Sequence, residues 1–415
     1  MTSKPSLWRH GDFRRLWASQ AVSDFGARIT REGLAMTAVM SLAATPGQLG
    51  LLSALANGPA LLVGLAAGDF VDHTARRPIL IAADLVRAAV LITLPVAAWL
   101  HLLSLLQVYV AAALVGAASD FFDIADHAYL PGLVGKAHVA EANARISATE
   151  SLAELGGPAL AGVLFQWLTA PVAIAVNAAT YVISALILGR IGSPEPPRDP
   201  PRRRRGWVDG VVTGARTAWS EPVLRALLVM TGVDGLFGGF FGALYIAYVL
   251  RTLSLGPVFL GLGIATGGLG ALAGSLLARP MGRWLGVGPA ICVAGVLSAF
   301  GTLIVLLAPP EPVRATAALV ASQFLGDLFG VVPAILAVSL RQTLLPHGML
   351  GRVGATFRAV DGGVRVAGAL AGGPLGGVFG LRATLIAAIA GLLIGPIFGA
   401  LTPLRAVRAM PTEEA

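Results

Sequence analysis

The sequence predicts an all-α integral membrane protein with twelve transmembrane helices arranged as two six-helix, pseudo-symmetric lobes. Three observations lead there. Apolar residues make up 56% of the 415 positions and charged residues only 13%, against about 25% charged in ordinary soluble domains. Twelve apolar stretches of about 20 residues run through the chain, the length a helix needs to cross hydrocarbon. One long polar stretch, rich in proline and arginine, divides them six and six.

The spans fall at 17–43, 49–71, 79–101, 104–130, 144–168, 171–190, 223–250, 256–279, 287–308, 313–340, 354–378 and 382–402. Before the first, Met1 to Arg15 is polar and basic with no cleavage-site pattern, so it reads as a cytoplasmic leader. Alternate loops carry the basic residues. Arg76 and Arg77 follow span 2, Lys136 and Arg145 span 4, and Arg190, Arg198, Arg202 to Arg205 and Arg216 span 6. Arg279 and Arg283 follow span 8, Arg341 and Arg352 span 10, Arg405 and Arg408 span 12. The opposite loops hold only Arg251, Arg314 and Arg382. By the positive-inside rule both termini are cytoplasmic, in a multi-pass protein of the inner or plasma membrane. The net charge of +8 is thus a topology signal; spread over many short loops, it does not fit a nucleic-acid partner. Barrel alternation is absent. Cys292, the single cysteine, lies inside span 9 as a small apolar filler, and no Cys/His metal spacing occurs.

The expected organisation is a leader (1–16), a first lobe (17–190), a cytoplasmic linker (191–222), a second lobe (223–402) and a cytoplasmic tail (403–415). Proline density and charge mark Arg190 to Pro222 as a connector that does not pack as a core. The halves echo one another at a shift of about 210 residues, as in duplicated transporters. Gly50 answers Gly261, Pro78 answers Pro289, and Gly157-Pro158 answers Gly373-Pro374. Asp24 corresponds to Asp234, and Asp120-Phe-Phe to Asp327-Leu-Phe.

After span 2 the chain reads Gly68-Asp-Phe-Val-Asp72-His-Thr-Ala-Arg76-Arg77-Pro78. This resembles the loop 2–3 signature of the major facilitator superfamily, with Ala75 in place of the usual glycine. The resemblance implies a major facilitator fold in which Gly68, Asp72, Arg76 and Arg77 latch the lobes in the outward-facing state. The second copy, Gly274 to Arg283, has no acidic residue. Gly157-Pro158-Ala-Leu-Ala-Gly162 in span 5 is similar to the antiporter signature of the same superfamily, which implies export; a proline-bent, glycine-packed kink reads the same way physically. Phe13-Arg-Arg-Leu-Trp17, Ala83-Asp84-Leu-Val-Arg87, Tyr129-Leu-Pro-Gly-Leu-Val134 with Ala142-Asn143, and Leu350-Gly-Arg352-Val resemble the drug and siderophore exporter branch that includes the enterobactin exporter.

Charge inside the spans points to function. Burying a charged group in hydrocarbon costs roughly 2.5–3.5 kcal/mol, so such groups face partners or water. Gln20, Ser23, Asp24, Arg28, Arg31 and Glu32 form one stripe down span 1, with Asp24–Arg28 and Arg28–Glu32 spaced as i,i+4 pairs. Ser147, Glu150, Ser151 and Glu154 form a matching stripe in span 5. The resemblance makes helices 1 and 5 neighbours, so Arg28 or Arg31 can meet Glu150 or Glu154, either as a static network or as a proton-exchanging one. A carboxylate that changes partner between states can take up and release a proton. Asp120, Asp123 and Asp126–His127 descend span 4 as an inner-mouth cluster. Asp234 and Asp327 join the cavity candidates because the resemblance puts helices 1, 4, 7 and 10 at the cavity wall. Arg358, Asp361 and Arg365 read as a cytoplasmic gate. Phe237, Phe240, Phe241, Tyr245 and Tyr248 line span 7 as a packing face or an amphipathic contact surface.

The expected activity is export of a small amphipathic organic compound by proton antiport with alternating access, from a monomer in the lipid bilayer. The proton gradient supplies the drive and no cofactor is needed. Competing readings are a lysophospholipid transporter of the same superfamily and a non-transporting receptor. A membrane enzyme lacks a nucleophile motif, phosphate loop or metal cluster to support it.

Overall fold

The computed structural model describes residues 7–61, 63, 70–71, 73–168, 170–195, 207–309 and 311–410. Among them are fourteen α-helices: α1 (Gly11–Met40), α2 (Pro46–Asn57), α3 (Arg76–Trp99), α4 (Leu105–Val134), α5 (Val139–Trp167), α6 (Ala170–Gly189), α7 (Trp207–Ser220), α8 (Pro222–Ala247), α9 (Pro257–Leu285), α10 (Val287–Leu303), α11 (Pro312–Leu344), α12 (His347–Phe379), α13 (Leu381–Leu392) and α14 (Ile394–Leu401). Eight helical stretches of the described residues are long and apolar enough to cross a bilayer: α3, α4, α6, α8 with its π-turn extension to Thr252, α9, α10 with its extension to Leu307, α11, and α13–α14. α1, α5 and α12 are as long, at 30, 29 and 33 residues, but carry charge along their length. The protein is a multi-pass membrane protein with an all-helical, two-lobed, twelve-helix fold.

The helices gather into two compact units, Met1–Ala43 with Leu55–Arg203, and Ala44–Ala54 with Arg204–Ala415. In the first, Phe13 and Leu16 of α1, Leu80 of α3, Ala125 of α4, Ala142 of α5 and Leu188 of α6 are fully buried together. In the second, Ala218, Ala278, Ala290, Ala294, Val332, Leu340 and Val353 are. Alanines recur among the larger side chains of both clusters, because helix association in lipid depends on close packing rather than on expulsion of water. Gly267, Gly270 and Gly274 of α9 lie against α11; a methyl group at Gly274 would meet Val331 at 2.6 Å.

Close approach also explains why Ala44–Ala54 belongs to the second unit. A Cβ at Gly50 would come within 2.9 Å of the Gly373 Cα, and Arg251 donates to the Ala44 carbonyl at 2.7 Å. Gly286, at φ +90°, ends α9 and begins α10 in a conformation that side chains resist.

The connector departs from its expected unpacked character in its second half. Trp207–Ser220 is a helix. Gly214 lies against the Arg352 carbonyl and Thr356, the Thr356 hydroxyl donates to the Val211 carbonyl at 2.9 Å, and Ala218 is fully buried. The small residues Gly214 and Ala218 are the ones that let it lie close to its neighbours.

Candidate functional site

α1 starts where His10 Nδ1 accepts from the Phe13 N–H at 3.1 Å, a side-chain cap on an otherwise orphan donor. Its inward face is Phe13, Leu16, Gln20, Ser23, Ile29, Thr30 and Gly33, all buried. Of the stripe read on this helix, Gln20 and Ser23 are buried, Asp24, Arg28 and Glu32 are half-buried, and Arg31 is exposed. Trp17 Nε1 donates to Thr149 Oγ1 at 2.9 Å, which sets the register of α1 on α5. About three turns further along α1, Arg28 reaches Glu154 at 3.3 Å. Gly157 makes room for it: a Cβ there would meet the Arg28 Cβ at 2.5 Å and Cγ at 2.8 Å. Pro158 sits inside α5, and Gly157, Pro158 and Gly162 are all buried.

The pairs expected within α1 do not form. Among the described residues Arg28 makes no ion pair within 4.0 Å to Asp24 or Glu32; it turns across the helix interface to Glu154. The glycine on α5 removes the bulk that would have kept the arginine on its own helix. Glu150 lies exposed one turn before Glu154. On α4, Asp120 is half-buried and Asp123 exposed. The Asp126 carboxylate accepts a short bond from buried Gln20 of α1, and His127 Nδ1 lies 2.9 Å from the Asp123 carbonyl of its own helix.

A second ionic centre in this unit was visible in the sequence only as part of a motif. Asp84 and Arg87 of α3, 0% and 3% exposed at their side chains, pair at 2.5 Å. Both faces of the guanidinium are covered, by Phe122 of α4 and Tyr181 of α6, each with its ring centre 4.5 Å away. Ser119 accepts from Arg87 at 3.4 Å and Ser23 donates to Asp84 at 3.5 Å. An acid and a base at i,i+3 within an apolar span are the signal that finds this pair. It ties α1, α3, α4 and α6 together.

Gly68 and Asp72 of the expected latch lie outside the described residues. Arg76 and Arg77 open α3, and their N–H groups donate to the Glu195 carboxylate at 3.0 and 2.9 Å. The Arg77 guanidinium donates to the Leu188 and Gly189 carbonyls at 2.9 and 2.5 Å, closing the end of α6. Asp12 anchors the same place, accepting from the Ser193 hydroxyl at 2.5 Å and the Ser193 N–H at 2.9 Å.

In the second unit Arg365 of α12 bonds Asp361 at 2.9 Å and lies 3.8 Å from Asp234 of α8. Asp234, read from sequence with the cavity group, therefore joins the residues read as a gate. Gly235 and Gly238 of α8 provide the space, facing Asp361 and Arg365. Arg358 is exposed one turn earlier, and Asp327 is exposed on α11 beside Gly267. The span 7 aromatics pack inward: Phe237 covers Gly391, Phe240 covers Gly372, and Tyr245 and Tyr248 are 6% and 1% exposed. Among the described residues no cluster of His, Cys, Asp and Glu has a metal-holding arrangement.

Residues 2–414 match the family described as transmembrane secretion effector. The chain is 30% identical over 358 residues to the multidrug efflux pump Tap of Mycolicibacterium fortuitum, covering 82% of this chain and 83% of that protein. To the multidrug efflux pump Tap of Mycobacterium tuberculosis it is 28% identical over 367 residues, covering 84% and 83%. Among solved structures, the nucleoside transporter NupG superposes with a TM-score of 0.76 at 10% identity, over 94% of this chain and 98% of that one. The bacterial homologue of the human lysosomal transporter Spinster, inward-facing and unoccupied, gives 0.72 at 14% identity, over 99% and 100%. At such identities the structures speak for the fold alone.

Proposed function

The chain belongs to the transmembrane secretion effector family of the major facilitator superfamily, and we propose that it exports an amphipathic organic compound by proton antiport with alternating access. The family and its relatives are transporters rather than enzymes. Multidrug efflux by the Tap relatives supports the cargo class. The basic residues concentrated in alternate loops support cytoplasmic termini.

The observation that carries the proposal is the contrast between the two ion pairs of the first unit. An ion pair near 4 Å is worth roughly 1 kcal/mol in water and about 4 kcal/mol at an effective dielectric of 20. Asp84–Arg87 is sealed and holds its geometry. In Arg28–Glu154 the carboxylate side chain is 61% exposed and the arginine 24%; water at that surface would screen the pair and deliver a proton to it. With Glu154 ionised, Arg28 stays on α5. With Glu154 protonated, the attraction is lost and Arg28 is free to turn to Asp24 or Glu32, four residues away on its own helix. The proton thereby selects which helix the arginine joins, and the exchange couples the gradient to movement of α1 against α5. Arg31 and Glu150 flank the pair and keep its surroundings polar.

The test is efflux driven by an imposed pH gradient in Glu32→Gln and Glu154→Gln. The proposal expects Glu154→Gln to transport without responding to the gradient. Normal coupling in both variants removes these carboxylates from the mechanism.

A further inference from the structure

α7 packs by one side only. Gly214 and Ala218 lie on α12 and the second unit's core. The opposite stripe is Val212, Arg216 and Trp219 at i, i+4 and i+7. Val212 is 42% exposed, Trp219 57%, and Arg216 is exposed with no hydrogen bond or ion pair among the described residues. Just ahead of the helix the sequence runs Arg202-Arg203-Arg204-Arg205, and Asp209 is the one acidic residue between 202 and 220.

We propose that α7 lies on the membrane surface and binds anionic phospholipid headgroups, with Trp219 and Val212 at the boundary between headgroups and acyl chains and Arg216 on the phosphates. The chemistry of the stripe selects this occupant. A tryptophan beside an arginine on the bare face of an amphipathic helix matches an interface that is apolar on one side and negatively charged on the other. Position agrees with it. Ala218 shares its core cluster with Ala278 and Met281 of α9, whose last residues include Arg283 and Trp284, the latter 76% exposed. A second bare tryptophan beside an arginine therefore closes another helix of this cluster. The inference rests on the inward placement of the basic loops proposed above, because the cytoplasmic leaflet carries the negative surface potential.

The test uses the full chain with Val212→Cys carrying a nitroxide label, in phosphatidylcholine vesicles with and without phosphatidylglycerol. Cys292, 6% exposed, stays in place, and the unsubstituted chain controls for its labelling. With phosphatidylglycerol present the label should relax with bilayer-dissolved oxygen more than with an aqueous nickel chelate. Arg216→Gln should raise the phosphatidylglycerol content needed for this by about fivefold, the equivalent of about 1 kcal/mol per basic residue. Arg216→Lys should stay near the parent, which separates lost charge from a damaged fold. A label equally open to the chelate in both vesicle types overturns the proposal. Equal burial in phosphatidylcholine alone, or displacement by inorganic phosphate, overturns the requirement for anionic lipid. Transport is not read, so the outcome is decided independently of cargo or coupling.

Discussion

Arg28 of α1 and Glu154 of α5 stand 3.3 Å apart across a helix interface, with the arginine stem resting on Gly157. The base is partly enclosed while the acid reaches the accessible surface. Breaking the pair therefore strands little charge. Arg28→Ala should lower thermal stability by no more than about 1 kcal/mol, the range for exposed ion pairs. Gradient-driven transport should fall by about tenfold or more, equivalent to about 1.4 kcal/mol or more in a rate barrier. The reversed pair, Arg28→Glu with Glu154→Arg, should recover the stability without the coupling. Recovery of both would assign the pair a structural role only.

Asp84 and Arg87 should behave in the opposite way. Either Asp84→Asn or Arg87→Met alone leaves a buried group without its partner, and the loss expected is about 3–5 kcal/mol. Asp84→Leu combined with Arg87→Met should be closer to wild type than either single change. Thermal unfolding of the purified protein checks this. Additive losses in the double variant would mean the two residues act separately.

Gly157→Ala tests the fit beneath the arginine. The added methyl meets the Arg28 side chain at 2.5 Å, and overpacking of this kind costs about 1–3 kcal/mol. The closest atom is the Arg28 Cβ, so Gly157→Ala with Arg28→Gly, which removes it, should be less destabilised than the sum of the two. A strictly additive result contradicts the contact.

Asp12 supplies a pH dependence. The Ser193 hydroxyl, with the Gly192 and Ser193 N–H groups and Arg15, holds its carboxyl down at about 2, against an ordinary value of 3.8. A carboxyl lowered on folding stabilises the protein above its unfolded pKa, and that contribution fades as pH falls from 3.8 toward 2. Melting curves of wild type and Asp12→Asn should therefore differ at neutral pH and converge in acid. Parallel curves across that window would exclude the anchor.

The membrane class and the helical fold were legible because lipid constrains apolar length so heavily. Side-chain partners were harder. Sequence left Arg28 two sets of partners, Asp24 and Glu32 on its own helix or Glu150 and Glu154 across the interface, and the position of Gly157 shows why it meets Glu154. Asp234 and Arg365 are 131 positions apart, so no local period could group them. Asp84 and Arg87 were recognisable as a motif, but their burial between Phe122 and Tyr181 depends on the packing of three other helices. The α7 helix was obscured by the arginines and prolines preceding it.

The most direct test of proton-coupled export follows the proton itself. Purified protein is reconstituted into vesicles holding a pH-sensitive dye, and an efflux substrate of the Tap relatives is added outside. Wild type should move protons against the substrate, and Glu154→Gln should carry substrate with no accompanying pH change. Proton movement that persists unchanged in Glu154→Gln, or substrate transport by wild type with none at all, contradicts the account.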